Sequence, residues 1–322
     1  MLRIRFYIFS LLVLGSFTSK AQLYPIFSQY YFNELMINPA FAGAHVQFSA
    51  TSTYRNQWIN FPGSPKTFSL TAHTSLVRGR VGVGIMLNQD KIGSYANKDL
   101  TLVYSYKLKF PKSTLSFGIQ ASLYFLNADF SALNIQQGDP DFIPYNIFKP
   151  NIGAGIYYNR KNFFIGFSNP YLINSKFSSS MIQTDPVTGL PTKVQSDLYQ
   201  FRNYFLRSGF IANLDPKGNV RINPSILLRA QEGAPLSLDV NMGFIFYDVF
   251  SAGVSYRSSD AVISFLGLKL SEKLFFSYSF DFTTSNLGPF SSGTQELMLN
   301  YRAKITAVHK NLECPTYHSY RE

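Results

Sequence analysis

The chain has 322 residues, among them 31 Phe, 21 Tyr and a single Cys, and a formal charge of +11. One cysteine excludes an intrachain disulfide framework, so packing and backbone pairing have to hold the fold. Aromatic residues make up 16% of the chain but mean hydropathy is only −0.02, and no long apolar run follows residue 21, which excludes a bundle of membrane-spanning helices.

From the N-terminus, Met1-Leu2-Arg3-Ile4-Arg5, an apolar run from Phe6 to Phe17, and Ser19-Lys20-Ala21 before Gln22 follow the order of a cleavable secretion signal, residues 1–21. The apolar run is shorter than the roughly 20 residues of a spanning helix. Gln22, standing where a lipidated chain needs cysteine, gives no point for lipid attachment. Cleavage removes Arg3, Arg5 and Lys20 and so lowers the formal charge by three, from +11 to +8. An exported basic chain meets outer-membrane lipid or acidic protein surfaces, so nucleic acid is not an expected partner.

Residues 22–45 precede the first strand and form a periplasmic or lumen segment. Ser28 is placed to cap a short helix over Gln29 to Ile37, Asn38-Pro39 to end it, and Gly43 to turn the chain into the first strand. Tyr30, Tyr31 and Phe32 suit packing and partner binding alike. The segment therefore reads either as a structural lead-in or as a docking element or lumen plug.

From residue 46 to 303 the chain alternates apolar and polar residues, the period of a strand. Phe68, Leu70, Ala72, Thr74 and Leu76 oppose Thr67, Ser69, Thr71, His73 and Ser75; Leu238, Val240, Met242 and Phe244 oppose Asp239, Asn241 and Gly243. About fourteen such segments are predicted, near 46–54, 67–77, 80–88, 99–110, 113–126, 150–158, 162–168, 203–214, 220–229, 236–246, 249–257, 261–270, 273–283 and 294–303. Tight links at Arg78-Gly79, Pro111-Lys112, Arg160-Lys161, Asp215-Pro216-Lys217-Gly218, Tyr247-Asp248 and Ser271-Glu272 alternate with longer ones, as in barrels with short periplasmic turns. The predicted fold is all-β, a transmembrane up-and-down antiparallel β-barrel of about 14 strands with a short N-terminal helical segment, located in the outer membrane with both termini periplasmic. Residues 304–322 form a periplasmic tail. A soluble sandwich would need guarded edge strands, whereas a closed barrel pairs every backbone group.

The residues offer little chemistry. His45, His73, His309 and His318 have no ligand spacing, and no zinc signature, P-loop, nucleophile elbow or dinucleotide fingerprint occurs. No catalytic residue, metal site or cofactor is expected. Gly82, Gly84, Gly153 and Gly155 lie within strands, where glycine permits close approach. Arg207, Arg221, Arg229 and Arg257 share the wet face with Asp239 and Asp281, as a salt-bridged filling or a selective pore lining. On a wet lumen wall, Asn241→Arg is expected to be milder than Val240→Arg on the lipid face. The loop at Gly138-Asp139-Pro140-Asp141-Phe142 has too few carboxylates for a calcium loop. Loops 127–149 and 169–202 exceed what a hairpin needs, and the second presents Phe177, Met181 and Leu190 as candidate partner-binding residues, or else as a lid.

The stretch Phe27-Ser28-Gln29-Tyr30 through Asn38-Pro39-Ala40-Phe41-Ala42-Gly43 resembles the opening signature of the PorP/SprF family of type IX secretion system outer-membrane proteins. Tyr54-Arg55-Asn56-Gln57-Trp58 with Pro62-Gly63 and Pro65 is similar to the family's next block, with weaker support from Gly138-Asp139-Pro140 and Cys314-Pro315. The resemblance implies a non-enzymatic component of protein export and gliding. Its partners would be a secreted adhesin-like client and other type IX secretion or peptidoglycan-associated components. A diffusion channel or hydrophobic-substrate transporter is the competing expectation.

Overall fold

The computed structural model describes residues 27–45, 47–130, 145–184 and 191–303, and at 145 and 175–200 the backbone only. Residues 1–21, expected to be a secretion signal, Gly138-Asp139-Pro140, Leu190 and residues 304–322 with Cys314 lie outside the described residues.

Among the described residues seventeen strands follow one another: β1 Phe48–Asn56, β2 Lys66–Leu76, β3 Val81–Ile92, β4 Tyr95–Phe110, β5 Ser113–Ala128, β6 Tyr145–Arg160, β7 Phe163–Asn169, β8 Ser175–Thr184, β9 Pro191–Gln200, β10 Asn203–Phe210, β11 Ala212–Asn213, β12 Val220–Gln231, β13 Ser237–Phe246, β14 Phe250–Arg257, β15 Ala261–Lys269, β16 Leu274–Thr283 and β17 Thr294–Ala303. All but β8 and β9 belong to one antiparallel meander, in which β10 joins β7 to β12 and β11 continues β10 along β12. β1 pairs with β17 from Phe48↔Ala303 to Asn56↔Gln295. The ring of fourteen strands is thereby closed, so the barrel has no free edge strand.

The barrel is inside out relative to a soluble domain. On β2, Thr67, Ser69, Thr71, His73 and Ser75 are buried toward the lumen, while Phe68 and Leu76 are each 46% exposed. On β16, Ser277, Ser279 and Asp281 are buried and Phe282 faces outward. An apolar belt around a polar interior is what a lipid-spanning barrel requires.

Both barrel ends of the chain, Phe48 and Ala303, stand at one rim with the short links 77–80, 111–112, 161–162, 214–219, 247–249 and 270–273. Tyr247 and Asp248 both take positive φ, 53° and 55°, the pair of left-handed residues that a type I′ hairpin turn needs. Most links at the far rim are longer, although 258–260 is short, and β3 and β4 meet at Gly93-Ser94, where the sequence predicts a connection over 89–98. Strands β4, β5 and β6 have 16 residues each, more than the roughly 9–11 of a spanning strand, so the far end of this wall rises beyond the lipid. Within the 169–202 connection, β8 and β9 form a two-stranded hairpin of their own, Ser175↔Gln200 to Thr184↔Pro191, with Phe177 and Met181 on β8.

Candidate functional site: a plugged lumen

Residues 27–43 are all buried, and they are buried inside the barrel. The helix predicted over 29–37 does not form. Tyr30, Tyr31 and Phe32 all meet one side of the barrel, at Asn241, Phe265 and Phe275, which three consecutive positions of a helix, about 100° apart around its axis, would not do, and the chain folds into successive tight turns. Phe32 and Asn33 N–H groups donate to the Gln29 and Tyr30 carbonyls, then single 3-10 turns span Glu34–Met36 and Pro39–Phe41. Ser28 caps nothing; its Oγ donates to Asp281 at 2.6 Å. Asn38 is the cap, accepting the Ala40 N–H at 2.9 Å, and Pro39 opens the second turn instead of ending a helix. Gly43, at φ +63°, makes the turn toward β1 as expected.

Three sets of contacts seat the plug. At its start, Glu296 on β17 accepts the backbone N–H groups of Ser28 and Gln29 at 2.8 and 3.0 Å. Arg55 on β1 joins Glu296 at 2.9 Å, Asp281 at 3.0 Å and the Ser28 hydroxyl at 2.8 Å. Two carboxylates buried side by side would repel; the guanidinium between them and the two N–H donors make the arrangement tolerable. In the middle, Glu34 pairs with Arg207 of β10 at 2.5 Å, and Arg207 lies over the Tyr30 and Phe164 rings at 5.3 and 4.9 Å. At its end, Ser105 and Ser168 donate to the Ala42 and Ile37 carbonyls at 2.7 and 2.5 Å, Asn38 donates to the Ile156 carbonyl, and Lys107 to that of Gly43.

Glycines in the wall let the plug's backbone lie against the strands. A Cβ on Gly82 would fall 2.0 Å from the Ala42 carbonyl oxygen, and one on Gly118 2.1 Å from the Ala40 nitrogen. Gly155 leaves room for the Asn38 side chain. The sequence reading of Gly82 and Gly155 as close-approach residues fits this geometry; what approaches them is the chain's own N-terminal segment.

The structure places Tyr30, Tyr31 and Phe32 in the lumen at 2%, 1% and 6% exposure. Tyr31 packs against Phe265 at 4.3 Å and Phe32 against Phe275 at 5.1 Å, while the Tyr30 hydroxyl accepts from Asn241 at 2.7 Å. As placed, these rings touch the barrel's own wall and stand far from Phe177 and Met181 in sequence and element. Lumen charges are a packed filling: Arg257 pairs with Asp239 at 3.1 Å, Arg221 with Asp248, and Arg229 donates to Ser237. The wall at Asn241 is therefore not wet, since Asn241 is buried and bonded to Tyr30, and the grounds for expecting Asn241→Arg to be mild are gone. Sequence reading did not single out Arg55, Glu34 or Glu296. A lumen-facing Arg55 and Glu296 directly opposed in the β1–β17 register are the signal that would have found them.

His45 and His73 stack at 5.6 Å beside Phe41, and the His73 Nδ1 accepts the Gly43 N–H at 3.1 Å. They hold the plug's exit. Among the described residues no three His, Cys, Asp or Glu side chains gather as a metal group.

No curated protein matches the chain. Among solved structures it is similar to the toluene transporter TbuX of Ralstonia pickettii, with 9% identity and a TM-score of 0.51 over 84% of this chain and 93% of that one. It is similar also to the CymD monoaromatic hydrocarbon channel, with 11% identity and a TM-score of 0.51 over 87% and 94%. At such identities the likeness is one of fold. Residues 19–301 match the family model of the type IX secretion system membrane protein PorP/SprF. An N-terminal segment opening on Phe27-Ser28-Gln29-Tyr30, folded back into a closed outer-membrane barrel, thus belongs to a chain of the PorP/SprF family.

Proposed function

We propose that this protein is a non-enzymatic barrel of the type IX secretion and gliding machinery that assists export or surface attachment of a secreted adhesin-like client. The observation that carries this reading is the plug: with residues 27–45 filling the lumen, the surfaces left for work are the rims. We place both termini in the periplasm, beside other secretion or peptidoglycan-associated components, since the short links cluster at that rim. The far rim is then extracellular, and the β8–β9 hairpin with Phe177 and Met181, together with Leu190 at its connection, is the surface assigned to the client. A rigid barrel presenting a long loop is a common arrangement for binding.

The alternative, a diffusion channel or hydrophobic-substrate transporter, is favoured by the fold shared with TbuX and CymD, a toluene transporter and a monoaromatic hydrocarbon channel. It requires a route past the plug. Affinity purification from the native outer membrane separates the two: a stoichiometric secreted protein supports the machinery reading, and ion conductance by the purified barrel in planar bilayers with no such partner refutes it.

A further inference from the structure

Near the far rim the lumen wall carries acceptors that the plug does not use. On the β3–β4 hairpin Asn88 stands opposite Asp99, and Asp90 opposite Asn97; the two-residue spacing turns all four toward the lumen. They line one pocket of about 30 Å³ with Tyr124 on β5. Phe27 and Met36 of the plug close it from the other side.

Asp90, Asn97 and Asp99 are buried at 5%, 5% and 8% exposure. Asp90 accepts from the Thr67 hydroxyl at 2.6 Å; Asp99 accepts from the Tyr171 hydroxyl at 3.0 Å, from Thr101 at 3.1 Å and from the Asn88 amide at 3.4 Å. Neither carboxylate has an ion-pair partner among the described residues. Arg55, whose charge reaches Asp90, is bound to Ser28, Asp281 and Glu296. The Asn97 side chain makes no hydrogen bond, and its Oδ1 and that of Asn88 are buried without a donor. Two buried carboxylates without a cation and two orphan amide oxygens ask for a positive partner. The space admits an ion with accompanying water. Carboxylate and amide oxygens, with no imidazole or thiolate, are the ligands of a hard divalent ion, and their irregular array suits calcium better than the octahedral demand of magnesium.

We propose that the Asn88, Asp90, Asn97 and Asp99 quartet binds one calcium-class divalent cation beneath the far rim, with water completing its shell. The site bridges β3 to β4 above an apolar floor that Phe27 and Met36 of the plug supply. The test is calorimetric titration of CaCl₂ into the EDTA-stripped full chain folded in detergent, with TbCl₃ luminescence excited through tyrosine as a second readout. One saturable site per chain is expected. The double variant Asp90→Asn/Asp99→Asn should lose it while keeping heat-modifiable migration. Asn97→Leu, which leaves every charge in place, should weaken binding by about ten-fold or more and guards against misfolding of the double variant. Absence of saturable binding to the folded wild type, leaving the pocket merely hydrated, overturns the proposal. So does binding that survives the double variant, or methylammonium chloride competing as well as CaCl₂, which would mark an ammonium site.

Discussion

Gly118→Ala is the sharpest perturbation of the plug. The added Cβ would lie 2.1 Å from the Ala40 nitrogen, 2.3 Å from the Pro39 carbonyl carbon and 2.5 Å from the Ala40 Cα. All three are backbone atoms, so no rotamer change relieves the overlap, and the Pro39–Phe41 turn must retreat by about 1.3 Å or more to reach ordinary contact. That movement strains the bonds from Ser105 to Ala42, Ser168 to Ile37 and Asn38 to Ile156. Losing two of them at about 1 kcal/mol each, on top of about 1–3 kcal/mol of overpacking, disfavours the seated plug by about 3–5 kcal/mol. The assay is maleimide labelling of Met36→Cys in a Cys314→Ser background, where Met36 is 6% exposed in the seated state. Labelling tracks the open population, so Gly118→Ala should speed it by roughly two to four orders of magnitude, while Ile119→Ala on the lipid face should not. Unchanged labelling in a Gly118→Ala barrel that still migrates as folded would refute the seating argument.

Arg55→Met strands Glu296 and Asp281 without their cation and should cost about 3–5 kcal/mol, seen as a lower unfolding temperature in detergent; adding Asp281→Asn and Glu296→Gln should recover much of it. Val240→Arg places a charge on the outer belt, where Val240 is 44% exposed, and should cost about 2–4 kcal/mol if near the midplane. Asn241→Arg should now be comparably harmful, because it orphans the Tyr30 hydroxyl and overfills a packed wall; the two differ in that only Asn241→Arg should raise Met36→Cys labelling. Deleting 176–195 removes most of a hairpin that pairs only with itself, so thermal stability should hold while the client is lost from the surface, and normal client display would exclude the hairpin as its docking site.

The barrel was legible because lipid and lumen impose period two on each strand, and the faces of β2, β13 and β16 follow it residue by residue. Legibility failed where that imposition stops. Around Gly93, Asn88, Asp90, Asn97 and Asp99 face inward while Gln89, Lys91 and Lys98 face outward and are exposed, so both faces are polar above the lipid and the strands read as a loop. Segment 27–43 has neither helical nor strand period, since its side chains fit a lumen whose shape is set by residues far away in sequence. Aromatic content alone left packing and docking equally open for Tyr30, Tyr31 and Phe32. Gly82 and Gly155 announced a close approach without naming the visitor.

The Glu296 clasp also bears on how the molecule assembles. Ser28 and Glu296 are 268 positions apart in the chain, so a contact that fixes the beginning of the plug cannot exist until the last strand, β17, is made. The same β17 zips to β1 through the Arg55↔Glu296 pair, which makes ring closure and plug seating one event of very high contact order. A barrel intermediate with β1 and β17 still apart would have an empty, polar interior and a loose leading segment. The final hairpin of such a chain therefore acts as a latch, and the pairing of β17 with β1 sets the moment at which the interior becomes solid.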